Sequence, residues 1–354
     1  MNEPRAARHF DLLLIIRGLA AVSVVIWHTE GYKALYPAAL NTSGRVAVWI
    51  FFGISGYVIA YGFVNGRYRL VPSGLAYFYR NRFLRIYPLF IALSVLAWAT
   101  EWWVSGHNPI PAAEMPAQLL AAQWNQTYTL LGVFWTLGIE LHYYLLAPLL
   151  ALPLLMRGRL QPVIALVVYA AMVYWCEYAT THLGWSWDGR NIVSNLPHFF
   201  AGMIACRAVT GIQRPRPALA LIALAGAMAL LGYTNWLYHT HGGQFWSVRG
   251  VLLADAMIVL LVVAHANIAA PASAGGRLVA AFSFLGVLSY GVYAWHNYIM
   301  KYVTWTSGQM FVLIALSIGA AYASYVLIER PALARKKHAP GVAAPVVPMK
   351  QVTV

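Results

Sequence analysis

Arg17 and His28 stand eleven positions apart in one apolar run, a spacing that brings them to nearly the same helical face. At 1.5 Å per residue they are about 16 Å apart along the axis. An arginine at membrane depth is costly and turns toward a bundle interior, an aqueous path or a counter-charge. The pair therefore suits a channel that takes an anionic or polar ligand. The plainer reading is a snorkelling arginine paired with Asp11 or a neighbouring helix.

Three further groups could do chemistry. Tyr79-Arg80-Asn81-Arg82-Phe83-Leu84-Arg85-Ile86-Tyr87-Pro88 sets Arg82 and Arg85 on one face, with Pro88 expected in the first turn of a new helix. Topological charge bias explains basic residues there, but two guanidinium forks also match phosphate geometry. No glycine-rich phosphate loop accompanies them. In Phe134-Trp135-Thr136-Leu137-Gly138-Ile139-Glu140-Leu141-His142-Tyr143-Tyr144, a buried Glu140 needs a cation or a proton, and its place beside Tyr143 and Tyr144 allows an acid–base or substrate-hydroxyl contact. His142 points away from Glu140. In Ser289-Tyr290-Gly291-Val292-Tyr293-Ala294-Trp295-His296, Ser289, Tyr293 and His296 share a face, fit either for lining a chamber or for binding adjacent helices. Ser55, between Gly53 and Gly56, is read as close packing and not as a nucleophile. Asp255 is another costly charge, with no partner evident from the sequence.

These residues need a scaffold, and composition defines it. The 354-residue chain is 61% hydrophobic and 10% charged, whereas soluble domains carry about 25% charged residues. Disorder, a disulfide-stapled module and a soluble enzyme are excluded, and a polytopic all-α membrane bundle of about ten transmembrane helices is expected. Apolar runs cover roughly 11–30, 46–64, 86–104, 134–155, 162–179, 192–206, 217–233, 247–266, 280–302 and 309–328. The sixth is short and starts with Asn195, Pro197 and His198, so a helix that is tilted, broken or flanked by buried loop is expected there. The first run reads as a retained helix, not a cleaved leader. Residues 9–331 form the expected membrane domain, and 332–354 an expected disordered cytoplasmic tail.

Charge sets orientation. With the amino terminus inside, the inner side carries Arg5, Arg8, Arg67, Arg69, Arg80, Arg82, Arg85, Arg157, Arg159, Arg207, Arg214, Arg216, Arg277, Arg330, Arg335, Lys336, Lys337 and Lys350. The outer side has only Lys33, Arg45, Arg190, Arg249 and Lys301. This asymmetry predicts both termini in the cytoplasm, and it assigns the net charge of +14 to topology and not to nucleic acid; a bacterial-type cytoplasmic (inner) membrane is the expected location. Tryptophans 102, 103, 185, 187, 236, 246 and 305 cluster at the expected outer ends. Outer connections at 31–45, 105–133 and 234–246 are expected to form a lid or acceptor surface. Cys176 and Cys206 read as small buried hydrophobes, and no metal-ligand spacing occurs.

Taken in order, these motifs resemble the integral-membrane acyltransferase-3 family of O-acyltransferases. The resemblance rests on Arg17-Gly18-Leu19-Ala20 with His28, Phe-Phe-x-x-Ser-Gly at 51–56, Arg82-x-x-Arg85-Ile86-x-Pro88, Trp135-Thr136-Leu137-x-x-Glu140, Ser289-Tyr290-Gly291-Val292-Tyr293-x-x-His296 and Glu329-Arg330-Pro331. One departure is Leu14 where many relatives carry an aspartate; Asp11 lies a turn earlier. The resemblance implies transfer of an acyl group, most commonly acetyl, from acetyl-CoA or another acyl-CoA to a hydroxyl of a glycan, lipid-linked saccharide or small acceptor. It implies an active-centre role for His28 and functional roles for Arg17 and the arginines before Pro88. Chemically, His28 is the candidate general base and Glu140 the candidate to orient it; Arg17, Arg82 and Arg85 are the candidate donor contacts. Tyr143, Tyr293 and His296 are the supporting or acceptor-side candidates, with no metal required. The competing classes are a transporter or exporter of a polar molecule and a non-catalytic membrane organiser.

Overall fold

The computed structural model describes residues 11–29, 43–107, 110–120, 130–185, 189–212, 214–268, 276–302 and 310–337. The helices, in chain order, are α1 (Leu12–His28), α2 (Gly44–Val64), α3 (Pro72–Ser105), the short α4 (Met115–Leu119), α5 (Trp135–Leu155), α6 (Gln161–His182) and α7 (Ile192–Val209). They continue with α8 (Pro217–Thr240), the short α9 (Gly242–Phe245), α10 (Val248–Asn267), α11 (Gly276–Tyr302), α12 (Met310–Ser324) and α13 (Arg330–Ala334). A π-helical turn, Tyr325–Glu329, joins the last two. Among the described residues nine helices are long and apolar enough to cross a membrane, and α1 is a shorter apolar tenth. The chain is a multi-pass helical membrane bundle, as its ten apolar runs require.

Three local expectations are revised. The third span does not begin near residue 86: Pro72 opens α3, so Arg80, Arg82 and Arg85 are helical and Pro88 lies inside the helix. The eighth helix runs past the apolar stretch to Thr240 because Thr234 and Asn235 are buried within the bundle. The segment around Pro197 is one unbroken helix, started by Asn191, whose side chain accepts from the backbone N–H of Ser194. The cysteines are buried as expected. The expected tail beyond 337, Trp187, Trp305, and parts of the expected outer connections at 31–45 and 105–133 lie outside the described residues.

Small residues set how closely the helices approach. A Cβ on Gly56 would lie 1.9 Å from the carbonyl oxygen of Phe199, and one on Gly202 would lie 1.9 Å from that of Gly53. The α2–α7 contact is thus backbone against backbone, which lets Phe52 and Tyr143 stack on Phe199 from two sides. The α1–α11 crossing is built the same way, with a Cβ on Gly286 falling 1.9 Å from the Leu14 carbonyl oxygen. That crossing brings Arg17 beside Ser289 and Tyr290 on the wall of one cavity.

Asp255, unexplained by the sequence, is the centre of a polar junction joining α6, α7 and α10. Tyr169 Oη donates to Asp255 Oδ2 at 2.7 Å, and His198 Nδ1 lies 2.6 Å from Oδ1. Trp49 stacks on the His198 ring with centroids 4.7 Å apart. In apolar surroundings such a group persists only when its partners are supplied internally.

Gly202→Ala should lower the thermal unfolding midpoint in detergent, at an overpacking cost of about 1–3 kcal/mol. Gly232→Ala in α8, where an added Cβ meets nothing within 4 Å, should be neutral or stabilising, since Ala exceeds Gly as a helix former by about 1 kcal/mol. Equal midpoints for the two variants would contradict the close α2–α7 contact.

Candidate active site

A cavity with about 720 Å³ of empty space, part of it open to the exterior, lies among α1, α2, α3, α5 and α11. Its walls include Arg17 from α1, Ser55 from α2, Arg82 and Arg85 from α3, Glu140 and Tyr144 from α5, and Ser289, Tyr290 and Tyr293 from α11. Phe51, Phe52, Val48, Val58, Ile86 and Leu137 complete an apolar lining. Five elements distant in sequence therefore put their polar residues on one space.

One end is cationic. Arg85 Nη1 lies 3.7 Å from Glu329 Oε2, and its guanidinium sits 5.9 Å from the centre of the Tyr290 ring. Arg82 sits over Tyr144 at 5.7 Å and over Phe78 at 5.8 Å. The π-helical turn carries Glu329, which is buried. The Glu-Arg-Pro sequence at 329–331 thus fastens the end of the chain to the arginine turn of α3. Asp11 does not serve Arg17 as a simple pair; it caps α1 by accepting from Leu14 N at 3.0 Å, and stands 3.8 Å from His265 Nδ1.

The middle belongs to Glu140. Ser55 Oγ donates to Glu140 Oε1 at 2.7 Å, and Tyr144 Oη donates to the same oxygen at 2.6 Å. Sequence reasoning discounted Ser55, and its flanking glycines do serve packing. The hydroxyl has a second use that only the arrival of α5 reveals. Ser289 Oγ is buried without a hydrogen-bond partner, so this wall can still donate to a ligand.

The other end leads to two histidines. Tyr293 accepts from Thr136 Oγ1 at 3.0 Å and donates to the Val133 carbonyl at 3.1 Å. The His296 ring lies 5.7 Å from Tyr293 and 5.1 Å from His28. His28 Nδ1 is 2.8 Å from the Val24 carbonyl oxygen. A carbonyl can only accept, so Nδ1 carries the proton and the basic lone pair is on Nε2.

The sequence-predicted residues thus divide into groups. Arg17, Arg82, Arg85, Glu140 and Tyr293 share the cavity; His28 and His296 form a pair beyond Tyr293. Glu140 lies on the cavity wall, held by Ser55 and Tyr144, whereas His28 pairs with His296 outside that lining. Tyr143 is fully buried against Phe199, 4.0 Å between ring centres, and Tyr144 takes the cavity wall. The i, i+4 spacing of Glu140 and Tyr144 was the available sign. Among the described residues, no three His, Cys, Asp or Glu side chains are grouped to hold a metal ion.

This helical bundle with a polar cavity at its centre is the kind of scaffold used by membrane-embedded group-transfer enzymes. The chain belongs to the acyltransferase-3 family, whose model, described as an acyltransferase domain, matches residues 13–329. A Komagataeibacter xylinus protein named as the membrane-bound transacylase BcsY is 25% identical over 349 residues, 92% of this chain and 83% of that protein. A protein named as the acetyltransferase ORF330 in Acidianus two-tailed virus is 24% identical over 309 residues, 83% of this chain and 82% of that one. Protein 2 in the picA locus of Rhizobium radiobacter is 37% identical over 91 residues, 25% of this chain and 44% of that protein. No solved structure matches. The chain is a multi-pass membrane acyltransferase.

Tyr144→Phe removes one of the two hydroxyl donors to Glu140. The folded protein should lose about 1–2 kcal/mol, the range for a hydrogen bond to a charged group reduced by the modest values found within membranes. Thermal unfolding of the variant alone and combined with Ser55→Ala checks this. Additive losses in the double variant would argue against a shared carboxylate.

Proposed function

We propose that this acyltransferase moves an acyl group, most commonly acetyl, from acyl-CoA to a hydroxyl of a glycan, a lipid-linked saccharide or another hydroxylated acceptor. The observation that carries the reading is the cavity that joins Arg17, Arg82 and Arg85 to a wall ending at Tyr293, with His28 and His296 just beyond. A polyanionic donor matches the cationic end, where guanidinium forks and the unpartnered Ser289 hydroxyl can meet phosphate and amide groups. A hydroxylated acceptor matches the histidine end.

In this scheme the acceptor hydroxyl attacks the thioester carbonyl while His28 Nε2 takes its proton; a C–O bond forms, the C–S bond breaks and the thiolate leaves. His296 positions the His28 ring, and Tyr293 with Thr136 supplies hydroxyls near the oxygen that gains charge. Glu140, held by Ser55 and Tyr144, balances the arginines as the cavity fills and empties. Donor and acceptor meet directly, with no acyl-enzyme. The basic-residue asymmetry supports a cytoplasmic donor mouth and both termini inside.

His28→Gln should insert and bind donor normally yet transfer about 10²–10⁴-fold more slowly, the usual scale for general acid–base assistance. Acceptor-dependent release of free coenzyme A by the purified enzyme measures it, and a native rate in the folded variant defeats the base assignment. Arg85→Ala should weaken acyl-CoA binding more than acceptor binding, read by separate titrations. Orientation is checked by single cysteines: positions 67 and 158 should label from the cytoplasm and 236 from outside, and the reverse pattern would refute the topology.

A further inference from the structure

Six side chains of the cavity wall carry a hydroxyl: Ser55, Thr136, Tyr144, Ser289, Tyr290 and Tyr293. Each has one proton to give. Ser55 and Tyr144 give theirs to Glu140 Oε1. Tyr290 Oη donates to the Ile86 carbonyl at 2.8 Å, and Tyr293 Oη to the Val133 carbonyl. Thr136 Oγ1 spends its proton within the same group, on the Val133 carbonyl at 2.9 Å or on Tyr293 Oη. Only the Ser289 proton has no recipient among the described residues, although Ser289 is fully buried. A helical serine or threonine can satisfy itself on the carbonyl one turn back, as Thr180, Thr210 and Thr234 do here. Ser289 does not.

The register of two helices gives its height in the cavity. A Cβ on Gly18 would lie 2.8 Å from Gly286 N, and the His28 ring lies 5.1 Å from that of His296. Gly18 and His28 are ten positions apart on α1, and Gly286 and His296 are ten apart on α11. The two helices therefore run side by side in one direction and one register. In that register Ser289 stands one turn, about 6 Å, on the His28 side of Arg17, and seven residues, about 10 Å, short of His28. It lies between the guanidiniums and the imidazoles. Val48, Phe51 and Phe52 of the lining offer a ligand no polar side chain.

We propose that Ser289 is a donor-binding residue that takes an amide of the pantetheine arm, the link between the thioester and the phosphates of acyl-CoA. This rests on the acyl-CoA reading above and adds a residue to it. With the phosphates at the arginines and the thioester carbonyl at His28, the arm is what passes Ser289. An acceptor oxygen, a thioester and the two methylenes beyond its sulfur span the gap from His28, and the first amide follows. An amide that leaves water for a largely apolar cavity needs its hydrogen bonds replaced. A serine hydroxyl serves either side of that group, donating to its C=O or accepting from its N–H. The contact fixes how far the arm reaches, and so where the thioester stops relative to His28.

The test is calorimetric titration of the purified full-length protein in detergent with two probes. Coenzyme A carries phosphates and arm; adenosine 3′,5′-bisphosphate carries phosphates alone. Ser289→Ala should bind coenzyme A about tenfold more weakly, the scale of one hydrogen bond, and the bisphosphate as the wild type does. Arg85→Ala should lose affinity for both. The empty Ser289→Ala protein should melt at or above the wild-type midpoint, because no hydrogen bond within the protein is lost and Ala is the better helix former. Unchanged coenzyme A affinity in Ser289→Ala overturns the assignment and leaves the donor reading standing. Equal losses for the two probes, or a lowered melting midpoint, do the same, since they make Ser289 a phosphate contact or a packing residue. A wild type that fails to bind coenzyme A overturns the donor reading, and this inference with it.

Discussion

The pairing of Arg85 with Glu329 is the interaction on which the inner architecture depends. It joins α3 to the last span, and it offsets part of a charge cluster that hydrocarbon would not otherwise tolerate. The π-helical turn that ends in Glu329 widens the last helix there and delivers the carboxylate to the arginine. Arg17, Arg82 and Arg85 line the cavity together at that end. Asn81 of α3 holds the backbone of Lys337 through two hydrogen bonds.

A second constraint is the absence of water to satisfy polar groups inside lipid. The bundle answers it by grouping its polar side chains. Asp255 collects Tyr169 and His198; Glu140 collects Ser55 and Tyr144; Tyr293 collects Thr136. Each group links at least two helices, so polar satisfaction and helix registry are achieved together. Glycine contacts between α2 and α7 and between α1 and α11 set the close helix approaches, and the Glu140 and Tyr293 groups share one cavity while the Asp255 group stands apart from its lining.

The cavity is chemically graded along its length. Guanidiniums occupy one end, a carboxylate held by two hydroxyls the middle, and a hydroxyl pair leading to two imidazoles the other end. In the reaction proposed above, such a gradient keeps the donor phosphates at the cationic end and the acceptor hydroxyl at the histidine end.

The sequence alone determined the membrane class, the ten apolar runs and the polar residues worth attention, because lipid permits long apolar helices and charges costly exceptions. Helical periodicity placed Ser289, Tyr293 and His296 on one face, and the ordered motifs indicated the family. Periodicity within one helix could not tell that Glu140 would meet Ser55, 85 positions away, or that Tyr144 and not Tyr143 would line the cavity. Nor could it show Pro88 inside a longer helix, Asp255 meeting His198, or the Lys337 backbone hydrogen-bonded to Asn81. Those outcomes depend on which helices touch and how closely. Glycine contacts and the two clamps on the C-terminal segment decide that only in three dimensions.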